Sequence, residues 1–145
     1  MPCARNSVPR AVLDTNVLVS ALISPGGVSA QLLLELRMGA FELVVSPLVL
    51  AELREVLARD KFRRYVTDAE ADAYVELVRA EAVVRVDPEP SPTPIGTDPD
   101  DEFLIDLARD ARADALVTGD SRLLELRTVI SVMGPAEFLE TLPGR

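Results

Sequence analysis

A three-layer α/β fold around a central, mainly parallel five-stranded sheet is what this sequence predicts, and three observations predict it. Short apolar runs of strand length alternate with amphipathic stretches of helix length from residue 10 to residue 142. The chain has 145 residues, 48% of them hydrophobic, which is about one domain with enough apolar material for a core. Its first and fourth apolar runs each lead into an acid, and in open α/β sheets ligands bind outside the carboxyl ends of the strands. There is no internal repeat and no domain linker, so residues 9–142 read as a single domain after a flexible N-terminus, residues 1–8.

The elements follow in order. Arg10 to Leu13 reads as the first strand, with helical material from Asn16 to Ile23. Ser24-Pro25-Gly26-Gly27 breaks it, and apolar spacing resumes from Val28 to Met38 before Gly39 ends the helix. Glu42 to Val45 is a second strand. Ser46-Pro47 sets an N-cap before a proline at the first helical position of a helix reaching Ala58. The capping box Thr67-Asp68-Ala69-Glu70 opens a helix to Glu81, and Val83 to Val86 is a third strand.

Five prolines between Asp87 and Pro99 make a stiff loop, expected to lie over the surface beside the strand ends. Asp98-Pro99 opens a helix ending near Ala111. Ala115 to Thr118 is the fourth strand, Ser121 to Leu126 a short helix, Val129 to Val132 a fifth strand, and Pro135 to Leu142 a last helix. Aromatics are only 4%, so the core must be built of Leu, Val, Ile and Ala.

Composition excludes several chemistries. The chain has no His and one Cys, Cys3, so Ser-His-Asp and Cys-His catalysis and His-ligated zinc are ruled out. One Cys permits no intramolecular disulfide, which fits a reducing compartment. No apolar run reaches the ~18 residues of a membrane span, and no signal-peptide pattern precedes the first strand. A cytoplasmic address and no membrane association are therefore expected. The net charge of −9 argues against a broad basic surface for nucleic acid, although bound divalent ions reverse the local sign at a site.

Four acids occupy positions that this topology would bring together: Asp14, Glu52, Asp101 and Asp120. Asp14 ends the first strand and Asp120 follows Leu116-Val117-Thr118-Gly119. Each also suits a helix cap or turn. Asp101 shares a helical face with Leu104, Ile105 and Ala108, whereas Glu102, Asp106, Arg109 and Asp110 lie outside the apolar stripe. The helix dipole accounts for Asp98 and Asp100 but not for an inward-facing acid, because a lone buried charge is costly. Glu52 projects from within the stripe Leu48, Val49, Leu53, Val56 and Leu57; taken alone, an Arg-paired glutamate fits it equally well. Converging carboxylates repel unless a cation lies between them. Oxygen-only ligands suit Mg2+ or Mn2+, and so chemistry on phosphates.

Val12-Leu13-Asp14-Thr15-Asn16, Ser46-Pro47 with Glu52, Asp101 seven residues before Ala108, and Val117-Thr118-Gly119-Asp120 together resemble the PIN domain, particularly the PIN-family toxins of toxin–antitoxin systems. The similarity spans Pro9 to Leu142. Each motif is weak separately, while their order and strand context are specific. The resemblance implies a five-stranded parallel sheet and assigns Asp14, Glu52, Asp101 and Asp120 as metal-binding catalytic acids supported by Thr15, Asn16 and Thr118. It also implies metal-dependent cleavage of single-stranded RNA, an antitoxin protein as partner, and leaves room for a homo-oligomer. The strongly acidic chain departs from a nucleic-acid-binding norm.

Flanking phosphates could be met by Arg122 or by the basic stretch containing Arg54, Arg59, Lys61, Arg63 and Arg64, which also suits a solvated helix end. Two alternatives remain open. A haloacid dehalogenase-like phosphatase would use a strand-ending Asp as nucleophile, but its second Asp is replaced by Asn16, and the only Lys is Lys61 rather than one late in the chain. A catalytically idle PIN-like binding module would need none of the acids.

Overall fold

The computed structural model describes residues 8–95 and 98–143. Of the expected flexible N-terminus only Val8 falls within the described residues, and Gly96 and Thr97 of the proline-rich loop also lie outside them.

Five strands form one sheet: β1 (Arg10–Leu13), β2 (Glu42–Val45), β3 (Val83–Val84), β4 (Ala115–Val117) and β5 (Val132–Met133). Their order is β3-β2-β1-β4-β5, and every neighbouring pair is parallel. After Arg10 and Glu42 at their starts, the central strands are apolar because both faces are covered; Ala11, Val12, Leu43 and Val117 have no exposed surface. The helices are α1 (Thr15–Ile23), α2 (Val28–Arg37), α3 (Pro47–Leu57), α4 (Asp68–Glu81), α5 (Pro99–Asp110), α6 (Ser121–Leu124) and α7 (Pro135–Thr141).

Right-handed crossovers put α1 to α4 on one face of the sheet and α5 on the other. The packing agrees: α1 contacts α2 and α3, α3 contacts α4, and α5 lies against β1 and β4. The Tyr74 hydroxyl of α4 donates to the Leu18 carbonyl of α1 at 2.6 Å, tying two helices of the first layer together. Gly39 ends α2 as expected, at φ 84°, where the Ala40 amide donates back to the Glu35 carbonyl at 2.9 Å.

From β1 the chain runs outward through β2 to β3, then returns across the sheet to β4 on the other side of β1. The strand order therefore reverses between β1 and β4. Asp14 follows the first of these strands, and Thr118 to Asp120 follow the second, at the crevice where open α/β sheets bind ligands.

Four expectations need correction. The fifth strand is Val132–Met133, not Val129 to Val132. The chain after α6 tightens into a 3-10 turn, and the Val129 and Ile130 amides both donate to the Leu126 carbonyl, which leaves Val129 59% exposed. The third strand stops at Val84: it is an edge strand, and Val86 is 83% exposed. Leu48 does not belong to the buried stripe of α3. It is 54% exposed, and Leu50 takes the core position instead. Glu102 and Asp106 of α5 are half-buried rather than outward, because the proline-rich loop covers them. The Ser91 amide donates to Asp106 at 3.1 Å and the Ile95 amide to Glu102 at 3.3 Å.

Candidate active site

The helices that follow parallel strands start at the strands' carboxyl edge, so acids that cap them or lie in their first two turns gather there. Asp14 is 8% exposed at the end of β1. Its own amide donates to the Val117 carbonyl of β4 at 2.8 Å, which fixes the start of α1 against the neighbouring strand. The Thr118 hydroxyl donates to Asp14 Oδ2 at 2.7 Å, and the Asn16 amide donates to Oδ1 at 3.3 Å. Thr118 Oγ1 in turn accepts from the Asp120 amide at 3.0 Å. Fully buried Thr118 therefore couples the two acids that follow the central strands.

Asp120 caps α6: one carboxylate oxygen accepts from the Arg122 amide at 2.9 Å, and the other lies 3.7 Å from the Arg122 guanidinium. Asp98 caps α5 through the Asp100 amide. Asp101 makes no hydrogen bond or ion pair among the described residues, so it is not held there by a capping bond. Glu52 likewise forms no ion pair among them, and the Arg-paired reading of this residue is not realised. These acids line one open cleft of about 220 Å3, in which Asp14, Thr15 and Asn16 meet Glu52 and Arg59 from the α3 side. Asp98, Asp100 and Asp101 at the start of α5, with Asp120 and Arg122, form the opposite wall.

The electrostatics are those of uncompensated acids. Burial raises the pKa of Asp14 most; the Thr118 hydroxyl and the Asn16 amide pull it back, and Asp120 pushes it up again. Burial also leads for Glu52, followed by the charges of Asp100 and Asp14. For Asp101, burial is again first, then Asp120 and Asp98, with Arg122 opposing. Thr15 Oγ1 is buried and has no hydrogen-bond partner; it lies near enough to Glu52 to favour the ionised carboxylate without making a bond of proper geometry.

Whether a divalent ion suits this cleft can be judged from the donors. All are hard oxygens, burial raises the pKa of three of the carboxyls, and among the described residues a buried hydroxyl beside them has no partner. Among the described residues no three acidic side chains converge tightly enough to surround an ion as they stand. Asp14 accepts from Thr118 and Asp120 from the Arg122 amide, and both carboxylates keep lone pairs that these bonds do not use. The donor chemistry fits.

The basic residues divide. Arg59 and Arg122 line the cleft. Arg54 instead turns to α4, where Asp72 at 2.6 Å and Asp68 at 3.5 Å engage it. Arg63 pairs with Asp60, Lys61 lies over the Phe62 ring at 5.1 Å, and Arg64 is exposed outside the cleft. Asp98 and Asp100 were the acids that the helix dipole had accounted for in the sequence, and both line the cleft; Asp100 has the larger effect on Glu52, as its strongest charged neighbour. Their place in the run Asp98 to Glu102 was the available signal.

Comparison with known proteins agrees with this fold. The chain matches the PIN domain over residues 10–122. An uncharacterised protein of Methanocaldococcus jannaschii, MJ1680, is 28% identical over 141 residues, covering 90% of each chain. Among solved structures, VapBC2 from Rickettsia felis, crystallised with a DNA fragment from its promoter, superposes with a TM-score of 0.63 at 17% identity. That alignment covers 86% of this chain and 98% of the other. PAE2754 from Pyrobaculum aerophilum gives a TM-score of 0.57 at 16% identity, covering 96% of both. At these identities the likeness is one of fold. The family match runs from β1 into α6, more than half of the chain, so the chain belongs to the PIN domain family.

Proposed function

We propose that this protein is a metal-dependent endoribonuclease that hydrolyses phosphodiester bonds of single-stranded RNA. PIN domains are generally nucleases, and those nucleases generally use divalent metals. The observation that carries the proposal is the cleft in which Asp14, Glu52 and Asp101, all with raised pKa, face Asp120 beside an unsatisfied Thr15 hydroxyl.

In this reading Asp14, Asp101 and Asp120 hold Mg2+ or Mn2+, with Glu52 ligating directly or through water and Asp100 adding negative field. The ion, when bound, supplies a more acidic water and neutralises charge growing on the phosphate oxygens. Thr118 holds the Asp14 carboxylate in one orientation. Glu52, with its raised pKa, is the group suited to accept a proton from the attacking water. Arg59 and Arg122 are placed to meet phosphates on either side of the acids; Asn16 and Thr15 line the floor. A haloacid dehalogenase-type phosphatase has no support from the family match.

Residues 9–142 act as one domain in this proposal. The lone Cys and the lack, among the described residues, of any single helix able to cross a membrane accord with a cytoplasmic enzyme. The fold likeness to VapBC2 supports an antitoxin protein as partner, and self-association is compatible with it.

Purified protein is expected to cut single-stranded RNA when Mg2+ or Mn2+ is present and to stop on EDTA. Double-stranded RNA and small phosphate monoesters should react far more slowly. Rapid monoester hydrolysis with RNA left intact would defeat the proposal.

A further inference from the structure

The cleft does not end at the acids. A second cavity of about 420 Å3 adjoins it, and Glu52, Arg59 and Asp100 line both. The two differ in chemistry. The second adds Leu48, Ala51 and Phe103, a more extensive apolar surface than Val56 and Leu104 give the acid cleft. Leu48 is the α3 residue that the core leaves 54% exposed, on the same side of the helix as Glu52 and Glu55, with Arg59 just beyond the helix end lining the same cavity. Phe103 is half-buried one turn or less after Asp100 and Asp101, in a chain with only 4% aromatic residues. Glu55, on the same wall, forms no hydrogen bond or ion pair through its side chain among the described residues and is acceptor-only when ionised. An aromatic ring, flanking aliphatic groups, an unpaired acceptor and a nearby Arg suit a flat heteroaromatic group with N–H donors attached to a phosphate.

We propose that this cavity is a nucleobase subsite, which takes the unpaired base of the nucleotide adjoining the scissile phosphate. The base stacks on Phe103 against Leu48, Glu55 accepts from its amino edge, and Arg59 meets the phosphate between the two cavities. A paired base has its face and edge occupied, so the subsite selects single strands. The assignment rests on the nuclease reading for its substrate, but it is testable without cleavage.

The experiment is an NMR titration of the full chain in Mg2+ buffer with adenosine 5′-monophosphate and, separately, ribose 5-phosphate. The methyl signals of Leu48 and Ala51 report on the cavity. The nucleotide is expected to move both signals and to bind roughly tenfold more tightly than the sugar phosphate, the scale of one base–aromatic stack. Leu48→Ser, at an exposed position, and Phe103→Leu, which keeps apolar bulk against the core, should each bring the nucleotide down to the affinity of the sugar phosphate. The sugar phosphate itself should bind as before. Equal affinities in the wild type, unmoved Leu48 and Ala51 signals, or undiminished nucleotide binding in both variants would overturn the subsite. RNA cleavage is measured alongside. If RNA is cut but the two ligands bind equally, the subsite fails and the nuclease stands. If the nucleotide binds as expected but RNA is never cut, the nuclease reading fails and the subsite stands.

Discussion

At Asp14, burial and hydrogen bonding oppose each other, and the balance governs how the acids respond to pH and metal. A carboxyl whose folded pKa is raised binds more protons folded than unfolded. Its penalty is absent below the ordinary values of 3.8 for Asp and 4.5 for Glu, grows as pH rises through the raised values, and is complete above them. Without metal, Asp14, Glu52 and Asp101 therefore cost stability at neutral pH and cease to do so on acidification. Asp101 gives the clean test because it has no hydrogen bond to lose. In EDTA, Asp101→Asn should melt at or above the wild-type temperature at pH 7, and the difference should shrink towards zero near pH 4. In Mn2+ the sign reverses, since the wild type gains more from the ion than the variant does. A lower melting temperature for the variant in EDTA, with an undiminished Mn2+ response, would remove Asp101 from the site. Thr118→Val removes the donor that orients Asp14. It should weaken Mn2+ binding by about 10–100-fold and cost roughly 1 kcal/mol of stability, read by calorimetric titration and denaturant melts. That the four acids share one cleft was legible from their positions together, at strand ends and within apolar stripes, although each alone had another explanation. Asp100 was not, because any acid in a helix's first turn already has a reason to be there. Nor could charge density single out Arg59 from its basic neighbours; α3 ends at Leu57, and the turn that follows aims each of them differently.

At the scale of elements, α3 joins the core to the cleft. Leu53 is fully buried, while Leu48 on the same helix faces the cavity beside Glu52. Leu53→Ala should destabilise by about 2–5 kcal/mol, the usual result of a core cavity. Leu48→Ala should stay within about 0.5 kcal/mol in the same denaturant melts; a large loss there would restore it to the core. Periodicity placed the helix correctly but could not tell Leu48 from Leu50, because an apolar stripe widens wherever a helix borders a ligand cavity as well as a core. The same limit applies to α5, whose Glu102 and Asp106 look solvent-facing on a helical wheel until the proline-rich loop is bonded across them. The Thr67–Glu70 capping box, the proline at N1 and Gly39 were readable since each acts locally. The fifth strand was misplaced by three residues at its start because Val129 and Ile130 carry strand propensity, whereas hydrogen bonds to Leu126 commit them to a turn.

For the whole molecule, strand order sets the site and net charge sets how it meets substrate. Reversal between β1 and β4 brings Asp14, Thr118 and Asp120 together from segments a hundred residues apart, and parallel crossovers deliver the first turns of α3 and α5 to the same edge. The net charge of −9 argues against a broad cationic surface, so in the proposed function RNA would be held locally, by Arg59, Arg122 and bound cations. Two phosphate contacts on a single strand give a slope of log K against log salt of about −1.4, measurable by anisotropy in Ca2+. A slope several times steeper would bring Lys61, Arg63 and Arg64 into the interface. The central claim is that the acids of this cleft, through a divalent ion, cut RNA. It is tested most directly by single-turnover cleavage of one labelled single-stranded RNA across a Mn2+ titration, with wild type, Asp14→Asn and Asp101→Asn purified identically. Saturable, EDTA-sensitive cleavage by the wild type, slowed at least about a hundredfold in both variants, is the expected result on the several kcal/mol that metal catalysis supplies. Equal cleavage by all three proteins, or cleavage indifferent to Mn2+, would contradict it.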